Sequence, residues 1–187
     1  MLFRKPYETD PKTGISFSEQ EQIYANEVAV GTFGPQTKKI IDMDSKKLQG
    51  VFSYTYRDIM YDFSERILAL AESRVQNDVE LHFCYNCWIK LLYDVPEKKG
   101  YLERCIAYCK KDIKLWDKVR KDKFFSDKIT QVPSFERLAW IYERKGEYEK
   151  AMEIYKLALS YKEVKDPMGR YKKSIAKLEY KIARNLK

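Results

Sequence analysis

The feature of this sequence that most constrains its fold is the run RLAWIYERKGEYEKAMEIYKLALSY, from Arg137 to Tyr161. Small residues and tyrosines recur in it at intervals of three and four, on both sides of Gly146. That interval places them on one face of each of two helices, and a glycine between helical segments is typical of a turn. Ala139, Ala151 and Ala158 would let the two helices approach closely. The run therefore predicts an antiparallel helical hairpin.

Helical periodicity extends over most of the chain beyond residue 53. Apolar residues at intervals of three and four predict helices at 53–76, 79–94, 101–119, 134–145 and 147–162, and a last one reaching about Asn185. The chain has only 7 Gly and 6 Pro, and so few turn residues favour long helices joined by short loops. No convincing strand pair is found. The expected fold class is therefore all-α, with stacked antiparallel helical hairpins and capping helices.

The first 50 residues have the weakest helical pattern. Ser18 and Glu21 have the spacing of a capping box, which favours a short helix. An extended conformation of NEVAVGTF, at 26–33, competes with it. The sequence DPKTG from Asp10 to Gly14 predicts a turn, and GTFGP from Gly31 to Pro35 predicts a break.

A length of 187 residues suits one domain with a core, or a compact domain with a long arm. We expect an irregular N-terminal arm at 1–50 that contains one short helix, followed by an α-helical domain at 51–187. If the arm is peripheral, a truncated chain that starts near Ser53 should stay folded.

The hairpin at 132–163 resembles a tetratricopeptide repeat, a helical hairpin with fixed small and large positions. The residues that match the repeat pattern are Phe135, Leu138, Ala139, Tyr142, Gly146, Tyr148, Ala151, Tyr155, Ala158 and Leu159. The proline that follows the second helix in this family is replaced by Glu163. A weaker copy at 79–119 is obtained when Gly100 is aligned with Gly146. The spacing of these two glycines exceeds the usual period of about 34 residues.

The resemblance implies a right-handed α-solenoid and a non-catalytic protein–protein interaction module, an adaptor or scaffold. Stacked hairpins of this kind bind a peptide or a partner helix on their concave face. The inward-facing positions of the first helix of the repeat correspond to Glu136, Trp140, Glu143 and Arg144. They do not match the Lys and Asn clamp that some members use for terminal carboxylates. A groove of mixed aromatic and charged residues suits a peptide with basic and apolar groups.

Four cysteines allow two main interpretations, and their pairing across the two helices would also permit a disulfide on oxidation. Cys84 and Cys87 are spaced C-x2-C, and Cys105 and Cys109 follow on the next predicted helix, so four thiolates could converge on a structural zinc. Cysteine is also among the most buried residue types, and all four lie on apolar helix faces. We favour the second interpretation, in which the thiols are core residues and the protein needs no cofactor.

The formal net charge of +8 is concentrated in two stretches. Seven basic residues face one acidic residue at 169–187, and eleven face five at 98–128. The favoured interpretation of the last helix is a capping helix with a solvated basic face. The alternative function is nucleic-acid binding, because lysines interleaved with tyrosines could contact phosphates. The lysines of this alternative surface are Lys172, Lys173, Lys177 and Lys181.

Nothing in the sequence favours catalysis. His82 is the only histidine, and the acidic row of Asp58, Asp62 and Glu65 is typical of a solvated helix face. No phosphate-binding loop or nucleophile motif occurs. No apolar run reaches the roughly 18 residues that a membrane span needs, and the N-terminus lacks the apolar region of a secretory signal. We therefore expect a cytoplasmic protein that is not an enzyme and has no membrane partner.

Overall fold

The structure, a computed structural model, describes residues 8–34, 39–125 and 128–185. The chain divides into two compact units, at 1–91 and 92–187. The elements of the first unit are β1 (Glu8–Thr9), β2 (Ser16–Phe17), α1 (Glu19–Phe33), a 3-10 turn (Ile40–Asp42), α2 (Ser45–Arg57), α3 (Tyr61–Ser73) and α4 (Asp78–Asp94), which continues into the second unit. Those of the second unit are α5 (Tyr101–Val119), α6 (Pro133–Arg144), α7 (Tyr148–Ser160), a 3-10 turn (Pro167–Gly169) and α8 (Arg170–Asn185). The all-α fold class is confirmed.

The first unit opens with a strand pair that the sequence did not indicate. Glu8 pairs with Phe17 and Thr9 with Ser16 in an antiparallel ladder. The predicted turn between them is confirmed, since the Gly14 amide donates to the Asp10 carbonyl at 2.8 Å. The expectation of no strand pair was wrong. Strands of two residues are too short to show an alternating pattern.

The helix predicted from the capping box is confirmed and is longer than expected. The Glu21 amide donates to Ser18 Oγ at 3.3 Å, and the Ser18 amide donates to Glu21 Oε2 at 2.9 Å. From there α1 runs to Phe33 and packs through Ala25 and Ala29, which are fully buried. The extended alternative at 26–33 was therefore wrong.

The helix predicted at 53–76 is in fact two helices, α2 and α3, with a break at Asp58–Met60. Ile59 adopts a φ of 61° there, and the Met60 amide donates to the Thr55 carbonyl at 2.9 Å, which closes the end of α2. Because α2 begins at Ser45, residue 50 lies inside a helix. Residues 1–50 therefore contain more regular structure than the single short helix we expected, and the domain division at that point stays a prediction.

The second unit is a series of helices in which each packs against the next: α5 on α6, α6 on α7 and α7 on α8. Its helix bounds agree with the predictions to within two residues. Ala139, Ala151 and Ala158 are fully buried, as close packing of the hairpin requires. The large side chains of this core include Trp116, Phe135, Tyr155, Tyr171 and Leu178.

Candidate functional site

The first helix of the predicted hairpin, α6, divides into a buried and an open face. Pro133 lies in its first turn, where a missing amide hydrogen is tolerated. Its packed face carries Phe135, Leu138, Ala139, Ile141 and Tyr142. Arg137, Trp140 and Arg144 are spaced by three and four residues on another face and keep solvent exposure. The open stripe of α6 is therefore aromatic and basic.

Glu136, which we expected in the binding groove, is instead a buried partner of α8. Its relative exposure is 6%. Glu136 Oε1 accepts a hydrogen bond from Arg170 Nη1 at 2.6 Å, and Oε2 accepts one from Gln131 Nε2 at 3.4 Å. An external ligand would have to displace both donors to reach this carboxylate.

Glu143 is also engaged within the second unit. Its Oε1 accepts a hydrogen bond from the Tyr155 hydroxyl at 2.9 Å. Burial, and after it this hydrogen bond, raises the pKa of Tyr155 above its ordinary value, so the hydroxyl stays a donor at neutral pH. The Tyr155 ring lies 5.4 Å from that of Tyr171 on α8. Both carboxylates of the expected groove thus hold the hairpin and α8 together.

Trp140 and Arg144 belong to a cluster with two residues that we did not expect. The ring of Tyr93, at the end of α4, lies 6.3 Å from that of Trp140. The guanidinium carbon of Arg137 lies 4.2 Å from the Tyr93 ring centre and 5.4 Å from that of Trp140. That of Arg144 lies 5.6 Å from the Tyr93 ring centre. We call Tyr93, Arg137, Trp140 and Arg144 the Arg–aromatic cluster.

The charge of this cluster is not neutralised within the described part of the chain. No carboxylate oxygen of a described residue lies within 4 Å of the guanidinium of Arg137 or Arg144. Stacking on an aromatic face holds a guanidinium in place but leaves its N–H edge available. Such an edge can donate two parallel hydrogen bonds to one carboxylate. The cluster therefore has the chemistry to bind an acidic group beside an aromatic surface.

The two unexpected members, Arg137 and Tyr93, differ in whether the sequence alone could have indicated them. Arg137 precedes Trp140 by three residues and Arg144 by seven, so helical spacing alone puts the three on one stripe. Tyr93 comes from another helix, and no local pattern connects it to α6. Only the packed structure brings it there.

The lysines of the alternative surface lie on α8. Lys172, Lys173 and Lys177 are exposed. No carboxylate of a described residue lies within 4 Å of any of these three. Lys181 is half-buried and lies over the Tyr148 ring, 4.8 Å from its centre. Three of the four lysines thus point into solvent.

The four cysteines are free thiols in low-polarity surroundings. Cys84, Cys105 and Cys109 are buried, and Cys87 is half-buried. Burial raises the pKa of Cys84, and it raises that of Cys87 to about 12. A hydrogen bond with Cys105, together with burial, holds the pKa of Cys109 well above its ordinary value. Among the described residues, no group of three or more His, Cys, Asp or Glu could hold a metal ion. The role of the thiols as core residues stays a prediction.

The second unit has the fold of a class of proteins built from packed helical hairpins, and α6 presents an open stripe on one of these hairpins. Residues 132–165 match the family model of the tetratricopeptide repeat, which confirms the resemblance at this hairpin. The second unit thus carries a tetratricopeptide repeat, and repeats of this family generally bind protein partners and are typically non-catalytic. The weaker copy at 79–119 stays a prediction. No curated protein and no solved structure matches the chain.

None of the helices in the described part of the chain is both long enough and apolar enough to span a bilayer.

Proposed function

We propose that this protein is a non-catalytic protein-interaction module that binds a peptide or helix of a partner protein on the open stripe of α6. The observation that carries the proposal is the Arg–aromatic cluster on the first helix of the tetratricopeptide repeat. This is the helix that the resemblance assigns to the concave, ligand-binding side.

The contacts of the two glutamates change the expected chemistry of the partner. A groove with Glu136 and Glu143 open would favour a basic peptide. Both carboxylates accept hydrogen bonds from within the molecule, whereas the charges left open on α6 are those of Arg137 and Arg144. The partner segment we propose therefore combines an acidic group with an apolar or aromatic side chain.

The residue types in the cluster suit a small site that contributes much binding energy. Tryptophan, tyrosine and arginine are enriched among the interface residues whose truncation weakens binding most. Trp140 is half-buried beside Tyr93, so a partner could complete its desolvation at little cost in side-chain freedom. We expect Trp140→Ala to weaken partner binding by about 2 kcal/mol or more.

The experiment is affinity capture from the source cell with nuclease treatment, followed by quantification of the captured protein for Trp140→Ala. Tyr180→Ala is the matched control, because Tyr180 is an aromatic residue, 66% exposed, on α8 and outside the cluster. We expect the captured protein to be lost with the first variant and retained with the second. Equal recovery with wild type and both variants would contradict the proposal.

The second candidate function, nucleic-acid binding through α8, is supported by the exposure of Lys172, Lys173 and Lys177. It predicts binding that weakens steeply with salt, through counterion release, and that does not depend on Trp140. Recovery of nucleic acid alone, unaffected by Trp140→Ala and abolished when the α8 lysines are changed to glutamine, would favour this function over a protein partner.

A further inference from the structure

The second basic stretch of the sequence forms a row of lysines along one side of α5. Lys110, Lys114 and Lys118 follow one another at intervals of four residues, and Lys121 comes just after the end of the helix. All four are exposed, and each interval of four residues advances about 6 Å along a helix axis. The side of α5 that packs inward carries Tyr101, Cys105, Cys109, Asp112, Trp116 and Val119. We call the four exposed lysines the α5 lysine row.

The positive charge of the row is not compensated among the residues that the structure describes. None of the four ammonium groups has a described carboxylate within 4 Å. Two acidic residues near the C-terminal half of the row have other partners. Asp117 accepts a hydrogen bond from the Tyr161 hydroxyl at 3.0 Å, and Asp122 accepts one from the Phe124 amide at 2.8 Å. The row therefore presents four positive charges to solvent.

The surroundings of the row distinguish between possible anionic partners. Between residues 107 and 121 the exposed positions are Ala107, Lys110, Lys111, Lys114, Asp117, Lys118 and Lys121. None of these exposed positions carries a large apolar side chain, whereas a protein interface needs a desolvated core and a membrane-surface helix needs an apolar face to insert. A phosphodiester backbone requires only regularly placed positive charge.

An aromatic side chain lies just beyond the end of the row. Phe125 is buried and its ring lies 5.2 Å from that of Trp116, which anchors the loop after α5. The neighbouring Phe124 is 47% exposed, and Lys128 Nζ lies 4.3 Å from its ring centre. A partly exposed ring beside a lysine is a platform on which a base can stack.

We propose that the α5 lysine row and Phe124 form a binding surface for single-stranded nucleic acid. The lysines contact successive phosphates as point charges, and Phe124 stacks on a base, so that binding is strong without depending on sequence. This surface shares no residue with the Arg–aromatic cluster or with the lysines of α8. It does not rest on the proposed protein partner.

The test is fluorescence anisotropy with a labelled single-stranded RNA of mixed sequence, about 20 nucleotides long, which exceeds a typical site size. The variant K110Q/K114Q/K118Q/K121Q removes the row. The matched control is K12Q/K46Q/K162Q/K165Q, which removes the same charge from exposed lysines outside both basic surfaces. A third variant, K172Q/K173Q/K177Q/K181Q, tests the competing α8 surface. We expect the first variant to bind at least tenfold more weakly at physiological salt, and the control to change binding by less than twofold. The slope of log affinity against log salt should become less steep by about 3, since each lost single-strand contact contributes roughly 0.7. Phe124→Ala should weaken binding several-fold and leave the slope unchanged.

Three results would overturn the proposal. The first is RNA binding by wild type that is either absent or no tighter than that of the row variant. The second is loss of binding only in the α8 variant, which would support the α8 surface instead. The third is equally tight, row-dependent binding of polyglutamate or of phosphatidylserine vesicles, which would assign the row to an acidic protein or a membrane. Circular dichroism verifies that each variant is folded, and the double variants K110Q/K114Q and K118Q/K121Q replace the quadruple variant if it is not.

Discussion

Arg74, at the end of α3, binds Asp10 in the N-terminal turn, with 2.6 Å between Nη2 and Oδ1. The same guanidinium donates to the backbone carbonyls of Ile41 and Met43, each at 2.5 Å. Asp10 is only 3% exposed. One side chain thus connects three segments of the first unit that are distant in sequence, and two of them lie within the first 50 residues.

We expect Arg74→Ala to lower the free energy of unfolding of the first unit by about 2 to 3 kcal/mol, because it removes the cationic partner of a buried carboxylate and the side-chain donor to two backbone carbonyls. Urea denaturation followed by circular dichroism measures the change. Arg57→Ala is the control, since Arg57 also pairs with an aspartate, Asp58, but at the surface. That variant should unfold nearly as wild type does. An equal loss in the two variants would contradict the role of Arg74.

Asp10 should make the stability of the first unit depend on pH in the acidic range. A hydrogen bond from Thr13 is the largest cause that lowers the pKa of the Asp10 carboxyl, burial opposes it, and Arg74 lowers it further. The folded pKa is then below the unfolded value of about 3.9, so the stabilisation is fully present above that pH and is lost as the pH falls through the folded pKa.

The measurement is the free energy of unfolding of wild type and Asp10→Asn between about pH 2 and pH 6, a range that brackets the unfolded pKa. The two curves should be separated at pH 6 and converge as the pH falls below 4. A constant separation across this range would show that the ionised carboxylate is not the source of the effect.

Ile59→Gly should stabilise the protein. Ile59 has a φ of 61°, a left-handed conformation that costs a branched residue about 1 kcal/mol or more and that glycine adopts freely. The side chain is 70% exposed, so little packing is lost with it. We expect a gain of about 1 kcal/mol in the unfolding free energy, measured in urea.

The matched control for Ile59→Gly is Ile23→Gly. Ile23 is 51% exposed but lies within α1. Because glycine is unfavourable in a helix interior, this variant should be destabilised by about 1 kcal/mol. The same substitution is thus expected to have opposite signs at two exposed sites, and equal signs would refute the backbone argument.

A chain that starts at Ser53 should lose the folded structure of the first unit. The truncation removes buried core residues that include Phe17, Ile40, Leu48 and Val51. It also removes Asp10 and leaves Arg74 without its partners. Amide hydrogen exchange of the truncated chain should show no protection of α3, while α5 to α8 of the second unit keep theirs. Protection of α3 equal to that in the full chain would show that the first 50 residues are a peripheral arm.

The sequence alone determined the helical hairpin at 132–163 and most helix bounds of the second unit. The reason is that helix periodicity, small residues at close contacts and turn glycines act over a few residues, so the pattern is complete within the segment itself. The capping box of Ser18 and Glu21 could be recognised in the sequence for the same reason, because both of its hydrogen bonds join residues only three positions apart.

Tertiary structure decided which of those residues stay open to a partner. The resemblance assigns Glu136 to an inward-facing position of the repeat, whereas Arg170, 34 residues away, pairs with it in the structure. Tyr93 reaches Arg137 and Trp140 from another helix. The break at Ile59 was hidden because the apolar spacing continues across it, and its left-handed backbone has no sequence signal without a glycine. Periodicity specifies which face of a helix is buried, but the charges and rings that meet there depend on residues brought together from distant parts of the chain.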